Sequence, residues 1–130
     1  MRKFVKTMIQ KIHKEEKILE VIYSGAVKPM ELIKNVKANI ELAIKSGISR
    51  FLTDTRELDN STTPIDAYEL VKMYQKLGIG EGWKEAILLP ELPDSAALMV
   101  FYETVSQNRG FDVKVFTNRD DAVAWLTSNS

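Results

Sequence analysis

The sequence contains no cysteine and a single histidine, His13. The absence of cysteine excludes disulfides, thiolate nucleophiles and metal sites with cysteine ligands. A histidine-based metal site or acid–base pair has no second histidine to complete it. We therefore expect a non-enzymatic protein with no catalytic residues, no metal and no cofactor, and the lack of cysteine is compatible with a reducing cytoplasm.

The sequence also lacks net charge and long apolar segments. Lys and Arg total 18, and so do Asp and Glu, so no overall positive field draws the chain to nucleic acid or anionic lipid. No apolar run approaches the roughly 18 residues that a membrane-spanning helix needs, and the first residues contain no signal-peptide core. These absences predict a cytoplasmic protein with no nucleic-acid partner and no membrane span.

One stretch of the chain is unevenly charged. Six basic residues crowd the first segment, against only Glu15 and Glu16; they are Arg2, Lys3, Lys6, Lys11, Lys14 and Lys17. Lysines on an exposed edge strand usually block unwanted pairing with other chains. We interpret this segment as a protected sheet edge.

The length and the apolar content are those of one domain. The chain has 130 residues, of which 45% are hydrophobic, enough to bury a continuous core. It contains no linker, internal repeat or low-complexity segment. We therefore expect a single domain over residues 1–130.

The apolar pattern alternates between the periods of strands and helices. Strands are predicted over residues 4–12, 18–23, 50–53, 86–89 and 111–116, the first two forming an antiparallel hairpin. Helices are predicted from Pro29 to the C-cap Gly47, from the N-cap Thr63 to Gly78, over residues 94–109, and after the N-cap Asn118. This order, ββαβαβαβα, predicts an α/β fold with a mixed five-stranded sheet and four helices.

Three stretches and the order of elements carry a resemblance to a known family. The stretches are VIYSGAVKPMELI, RFLTDTREL and NRGFDVKVFTNRDDAVAWL. With them, nearly the whole chain resembles the STAS or SpoIIAA-like proteins, especially the STAS/SEC14 group of small bacterial proteins. The resemblance implies a SpoIIAA-like fold and a regulatory domain that acts through protein contacts. Because SEC14 relatives bind apolar ligands, it also implies an alternative, a carrier for a small lipid-like molecule.

The same resemblance singles out a candidate switch after the third predicted strand. In the anti-sigma-factor antagonists an Asp ends this strand, and a Ser in a D-S-S-G-L-type motif at the next helix is phosphorylated. Asp54 and Thr63 fall on these two positions, with the hydroxyls of Ser61 and Thr62 beside them. TTPID stands in place of the motif, however, so its acid, second Ser and Gly are missing. We interpret Thr63 as a helix cap, with phosphorylation of the cluster as the alternative.

The segment SAALMVFYETV is apolar around the whole predicted helix. Its spacing predicts that Leu98, Phe101 and Val105 face inward, while Val100 points away. Candidate interface residues are Met99, Val100 and Tyr102. A homodimer, another protein partner and an apolar ligand are the three alternatives for what covers this surface.

Overall fold

A five-stranded mixed sheet forms the centre of the structure, a computed structural model that describes residues 7–60 and 63–128. The strands are β1 (Met8–His13), β2 (Ile18–Val27), β3 (Arg50–Asn60), β4 (Lys84–Leu88) and β5 (Asp112–Phe116). The helices are α1 (Pro29–Ser46), α2 (Pro64–Lys76), α3 (Pro93–Asn108) and α4 (Arg119–Leu126). The predicted α/β class, with five strands in a mixed sheet and four helices, is confirmed.

The strands lie in the sheet in the same order as in the chain, from β1 to β5. β1 pairs antiparallel with β2, and every later pair is parallel. Each parallel crossover therefore leads to the next strand in the same direction across the sheet. Because such crossovers are right-handed, α1, α2 and α3 all lie on one face of the sheet. We call this the three-helix face; the opposite side is the α4 face, because α4 packs there on β3, β4 and β5.

The alternation of side chains along the strands supplies a separate core to each face. On the three-helix face the buried strand residues are Leu19, Val21, Tyr23, Val27, Leu58, Ile87 and Val113. On the α4 face they are Ile18, Leu52, Ala86 and Leu88, which pack against Ala122 and Leu126. One helix covers much less of a sheet than three do, so the β1–β2 end of the α4 face is left for polar side chains.

β3 is much longer than predicted. The sequence predicts a strand over residues 50–53 followed by a polar loop, and this is wrong, because the strand continues to Asn60. β4 pairs with β3 only as far as Asp54, whereas β2 continues to pair with it as far as Asn60, after a register shift between Ile22 and Ser24. Backbone hydrogen bonds to β2 alone hold this polar segment extended. The pattern of apolar residues does not predict these bonds, because the backbone forms them whatever the side chains are.

The predicted orientation of α3 is wrong for Phe101, which is 39% exposed. The buried residues are Ser95, Met99, Tyr102 and Ser106, and the predicted inward residues Leu98 and Val105 are only partly buried against the core. Val100 is exposed, as predicted. A helix that is apolar on every side has no pattern to set its rotation. The hydroxyl of Tyr102 favours the observed rotation, because it donates to Glu85 on the sheet. Ser95 and Ser106 are buried on the same side of the helix.

The predicted helix caps are confirmed. Gly47 follows α1 in the left-handed conformation, with φ of 67°. Thr63 begins α2 in a capping box, since its side chain accepts from the Asp66 N–H while the Asp66 carboxylate accepts from the Thr63 N–H. Asn118 accepts from the Asp121 N–H at the start of α4. Within the described residues, no helix combines the length and apolarity needed to cross a bilayer.

We predict that Thr63→Ala lowers the free energy of unfolding by about 0.5 to 2 kcal/mol, because the Asp66 N–H loses its acceptor. Thr63→Ser keeps the acceptor oxygen and should retain most of the stability. Urea denaturation of both variants measures the difference. Equal midpoints for Thr63→Ala and the parent protein would show that the cap contributes nothing.

Candidate functional site

A cavity lies between the sheet and the helices of the three-helix face. Its floor is formed by β2, β3 and β4, and its walls come mainly from α1 and α2, with α3 closing one side. α2 packs closely on α3, but α1 and α2 make few close approaches to each other. The space between these two helices leaves a cavity with a volume of about 130 Å³.

The walls of the cavity are mostly apolar. Aliphatic side chains from α1 and α2 form its upper part, including Leu32, Ile33, Val36 and Leu70. Phe51 and Trp83 lie at one end, where their rings stack with centroids 5.5 Å apart. Such a space suits an apolar molecule better than it suits water, which needs several polar partners.

Glu85 places a carboxylate in this apolar surround. Its Oε2 accepts a hydrogen bond of 2.6 Å from Thr53 Oγ1, and its Oε1 accepts one of 2.7 Å from the hydroxyl of Tyr102. That hydroxyl also shares a 2.9 Å hydrogen bond with the hydroxyl of Tyr74. The four side chains come from β4, β3, α3 and α2, so they form a polar cluster that ties two helices to the sheet.

Burial decides the electrostatics of this cluster. It raises the pKa of Glu85, and the hydrogen bonds from Thr53 and Tyr102, which favour the ionised form, offset the rise only in part. Burial and the negative charge of Glu85 together raise the pKa of Tyr23, Tyr74 and Tyr102 above the ordinary phenol value. The three phenols therefore stay protonated and act as neutral hydrogen-bonding groups.

A second polar chain borders the cavity on the β1 side. The Nδ2 of the buried Asn39 donates to the hydroxyl of Tyr23 at 3.3 Å, and Gln10 Nε2 donates to Asn39 Oδ1 at 2.7 Å. Thr55 Oγ1 donates to the Leu88 carbonyl at 2.6 Å. These polar groups have partners within the chain. Glu85 is the cavity carboxylate on the inward face of β4.

An ionic cluster lies on the opposite, α4 face. Glu20 is 5% exposed, and its Oε1 is 2.7 Å from His13 Nε2 and 3.0 Å from Arg119 Nη2. Asp54 is 7% exposed and accepts from Arg56 Nε and Nη2 at 3.1 and 2.9 Å. Burial alone would raise the pKa of both carboxyl groups, but these hydrogen bonds and positive charges lower it. Both acids are thus ionised and paired.

The predicted switch residues lie away from the cavity's carboxylate. Asp54 is inside β3 rather than at its end, and it is paired with Arg56 on the α4 face. Thr63 is occupied by the capping box at the start of α2. Ser61 and Thr62 lie outside the described residues, so phosphorylation of this cluster stays the alternative to the helix cap.

The three candidate interface residues do not share a surface. Met99 and Tyr102 are buried in the chain's own core, and both line the cavity. Val100 is 44% exposed, next to the exposed Phe101. A partner could therefore reach Val100 and Phe101, but Met99 and Tyr102 are already covered by the fold.

Sequence reasoning missed Glu85, because it began the fourth strand at Ala86. The strand begins at Lys84, and the alternation of KEAIL places Glu85 on the same face as the buried Ile87. An acidic residue at an inward position of a strand was the available signal. Glu20 was missed in the same way, inside the apolar run of β2.

No family model matches the chain, and no curated protein matches it significantly. Among residues 7–60 and 63–128, no three His, Asp or Glu side chains are grouped so that they could hold a metal ion. The cavity and its carboxylate are therefore the features from which a function is inferred.

We predict that Glu85 makes the stability of the protein depend on pH in a defined direction. Its pKa in the folded protein is above its ordinary value of 4.5, so the folded state holds a proton that the unfolded state releases. Its contribution to stability is then fully present below that ordinary value and is lost as the pH rises through the folded pKa. Compared with Glu85→Gln, the parent protein should become relatively less stable as the pH rises.

Urea denaturation over a series of pH values measures this difference. Glu91→Gln is the matched control, since it removes one exposed carboxylate outside the cavity and should follow the parent protein. A constant difference between the parent protein and Glu85→Gln at all pH values would contradict the raised pKa.

Proposed function

We propose that this chain is a non-enzymatic binding module that holds a small, largely apolar molecule in the cavity of the three-helix face. The observation that carries the proposal is an apolar cavity between α1 and α2, lined by the partly buried carboxylate of Glu85. Binding pockets commonly combine apolar walls with a few polar groups that orient the ligand.

The size of the cavity supports a ligand of about one ring. Its volume is about 130 Å³, and an engineered apolar cavity of about 150 Å³ in another protein binds benzene. The apolar walls contribute affinity because the ligand leaves water on binding. A long acyl chain would need α1 to move away from α2.

The arrangement around Glu85 favours binding over catalysis. The groups that face its carboxylate are the neutral hydroxyls of Thr53 and Tyr102. Lys84 borders the cavity, but its ammonium donates to the Trp125 carbonyl on the α4 face. Glu85 could act as an acid or a base, but the groups that contact it are neutral hydrogen-bond donors, so these contacts assemble no nucleophile–base or acid–base pair.

In the cell, we propose a cytoplasmic, STAS/SEC14-like regulatory domain whose state depends on the bound molecule. The order of elements and the position of the cavity against the helices support this role. α1 lies over the cavity without close packing on α2, so an occupied cavity would hold the two helices in one arrangement. Phosphorylation of Thr63 is not part of the proposal, because its hydroxyl serves the capping box.

We predict that benzyl alcohol binds in the cavity and stabilises the protein. At a free concentration about ten times Kd, a ligand specific for the folded state adds about 1.4 kcal/mol to the free energy of unfolding. Binding can be followed by the fluorescence of Trp83 in a Trp125→Phe background, since the chain has two tryptophans and only Trp83 lines the cavity.

Val36→Phe fills the cavity from α1 without adding a tryptophan, and it should abolish both the fluorescence change and the stabilisation. Ile44→Phe is the matched control on the same helix, because Ile44 is 62% exposed and lies outside the cavity. Equal binding by both variants would place the ligand elsewhere, and no binding by the parent protein would contradict the proposed function. Native mass spectrometry of protein purified from its own host would then identify any bound molecule.

A second candidate function is contact with a protein partner, including a second copy of this chain. Two large apolar side chains, Val100 and Phe101, are exposed side by side on α3. Exposed apolar neighbours of this kind are common at interfaces. If they form a dimer contact, Val100→Glu and Phe101→Glu should each increase the monomer fraction in sedimentation experiments and leave the far-UV spectrum unchanged.

Glu103→Gln is the control for this measurement, because Glu103 lies on α3 with its carboxylate engaged by the Val115 N–H. Dimers that persist in both glutamate variants would place the contact on another surface. A parent protein that is monomeric at all concentrations would restrict this function to contact with a different protein.

A further inference from the structure

The Glu85 carboxylate has no cationic partner among the residues that the structure describes. Ion pairs form at Glu20, Asp54 and Glu69, and none involves Glu85. The neighbouring Lys84 is directed to the other face, where its Nζ lies 4.7 Å from the centroid of the Trp125 ring. Glu85 is partly buried and lines the cavity, and a carboxylate drawn away from water without a positive charge beside it is costly.

The hydrogen bonds of Glu85 leave room for one more donor. Thr53 and Tyr102 each use one acceptor position, on different oxygen atoms. An ionised carboxylate offers about four such positions and donates nothing. Glu85 lines the cavity. A ligand in the cavity could therefore donate a hydrogen bond to one of the free acceptor positions of its carboxylate.

Aromatic rings surround this part of the cavity. Phe51 is the register partner of Glu85 on β3, and its ring stacks on Trp83, two residues before Glu85. Tyr74 and Tyr102 lie on the helix side, with ring centroids 6.4 Å apart in an edge-to-face arrangement. The faces of aromatic rings attract cations, and quaternary and primary ammonium groups are recognised in such surroundings.

We propose that the cavity selects a small organic amine, with its apolar body between α1 and α2 and its ammonium group against Glu85. The inference rests on the proposed function, since it assigns a chemical class to the ligand of the same cavity. An anionic ligand would be repelled by the carboxylate, and a neutral one would leave its charge uncompensated. The ammonium group supplies both the missing charge and a further hydrogen-bond donor.

The selection should also depend on pH. The groups facing Glu85 are Thr53 on β3, Tyr74 on α2 and Tyr102 on α3, with Tyr23 on β2 within reach of its charge. Two other carboxylates border the cavity: Asp66, which is engaged by the cap of α2, and the exposed Asp112. Because the ammonium group binds the ionised form of Glu85, the affinity for the amine should increase as the pH rises from 4.5 through the raised pKa of Glu85.

The test compares three probes with the same ring and different charge. Benzylamine is a cation, benzyl alcohol is neutral and benzoate is an anion near neutral pH. Isothermal titration calorimetry on the unmodified protein should show benzylamine binding at least about tenfold tighter than benzyl alcohol, with benzoate weakest. The affinity for benzyl alcohol should stay nearly constant over the same pH range.

Glu85→Gln tests the assigned residue. Glutamine keeps the size of the side chain and a carbonyl acceptor, so the variant should still bind benzyl alcohol but lose the preference for benzylamine and its pH dependence. Glu91→Gln removes the same charge from an exposed position and should keep both. If Glu85→Gln does not fold, the three probes and the pH series on the unmodified protein decide the question.

The outcomes separate this inference from the proposed function. Tighter binding of benzylamine, lost in Glu85→Gln, supports both. Equal binding of benzylamine and benzyl alcohol, or tighter binding of benzoate, overturns the amine assignment and leaves the apolar binding site in place. No binding of any probe overturns the inference and the proposed function together.

Discussion

The pairing of β2 with β3 at the centre of the sheet is the constraint on which both polar sites depend. Because successive residues of a strand point to opposite faces, this single register directs Tyr23 and Thr53 toward the helices and Glu20 and Asp54 away from them. β3 continues along β2 beyond Asp54, with a register shift between Ile22 and Ser24. Next to this shift, the backbone N–H of Arg56 donates to the carboxylate of Asp54. A one-residue slip of β3 against β2 would turn Asp54 to the three-helix face and Thr53 to the α4 face, away from Glu85.

The two faces resolve the burial of charge in different ways. On the α4 face, Glu20 and Asp54 are buried with arginine partners, and their pKa values are lowered. On the three-helix face, Glu85 receives hydrogen bonds from neutral hydroxyls only, and its pKa is raised. Among the described residues, Glu85 is a partly buried carboxylate without a cationic partner, and it borders an apolar cavity. The proposed amine would supply a cation to the carboxylate and an apolar body to the cavity.

The cavity follows from the topology together with the side chains of α1 and α2. Three helices on one face of a sheet must divide that surface, and α2 packs against α3 rather than against α1. Aromatic contacts reinforce this choice, since the Tyr74 ring lies edge-to-face against Tyr102 and Phe111. α1 is therefore the helix best placed to respond to an occupant of the cavity.

The sequence by itself determined the elements that depend on local chemistry. Apolar periodicity and the caps at Gly47, Thr63 and Asn118 were sufficient for the order ββαβαβαβα and for the α/β class, because caps and periodicity act within a few residues. Only the tertiary structure decided the length of β3, the rotation of α3 and the environment of Glu85. Each of these depends on contacts between residues far apart in the chain. The sequence shows that residue 85 is a glutamate, but not whether a cation, a hydroxyl or a cavity lies beside its carboxylate.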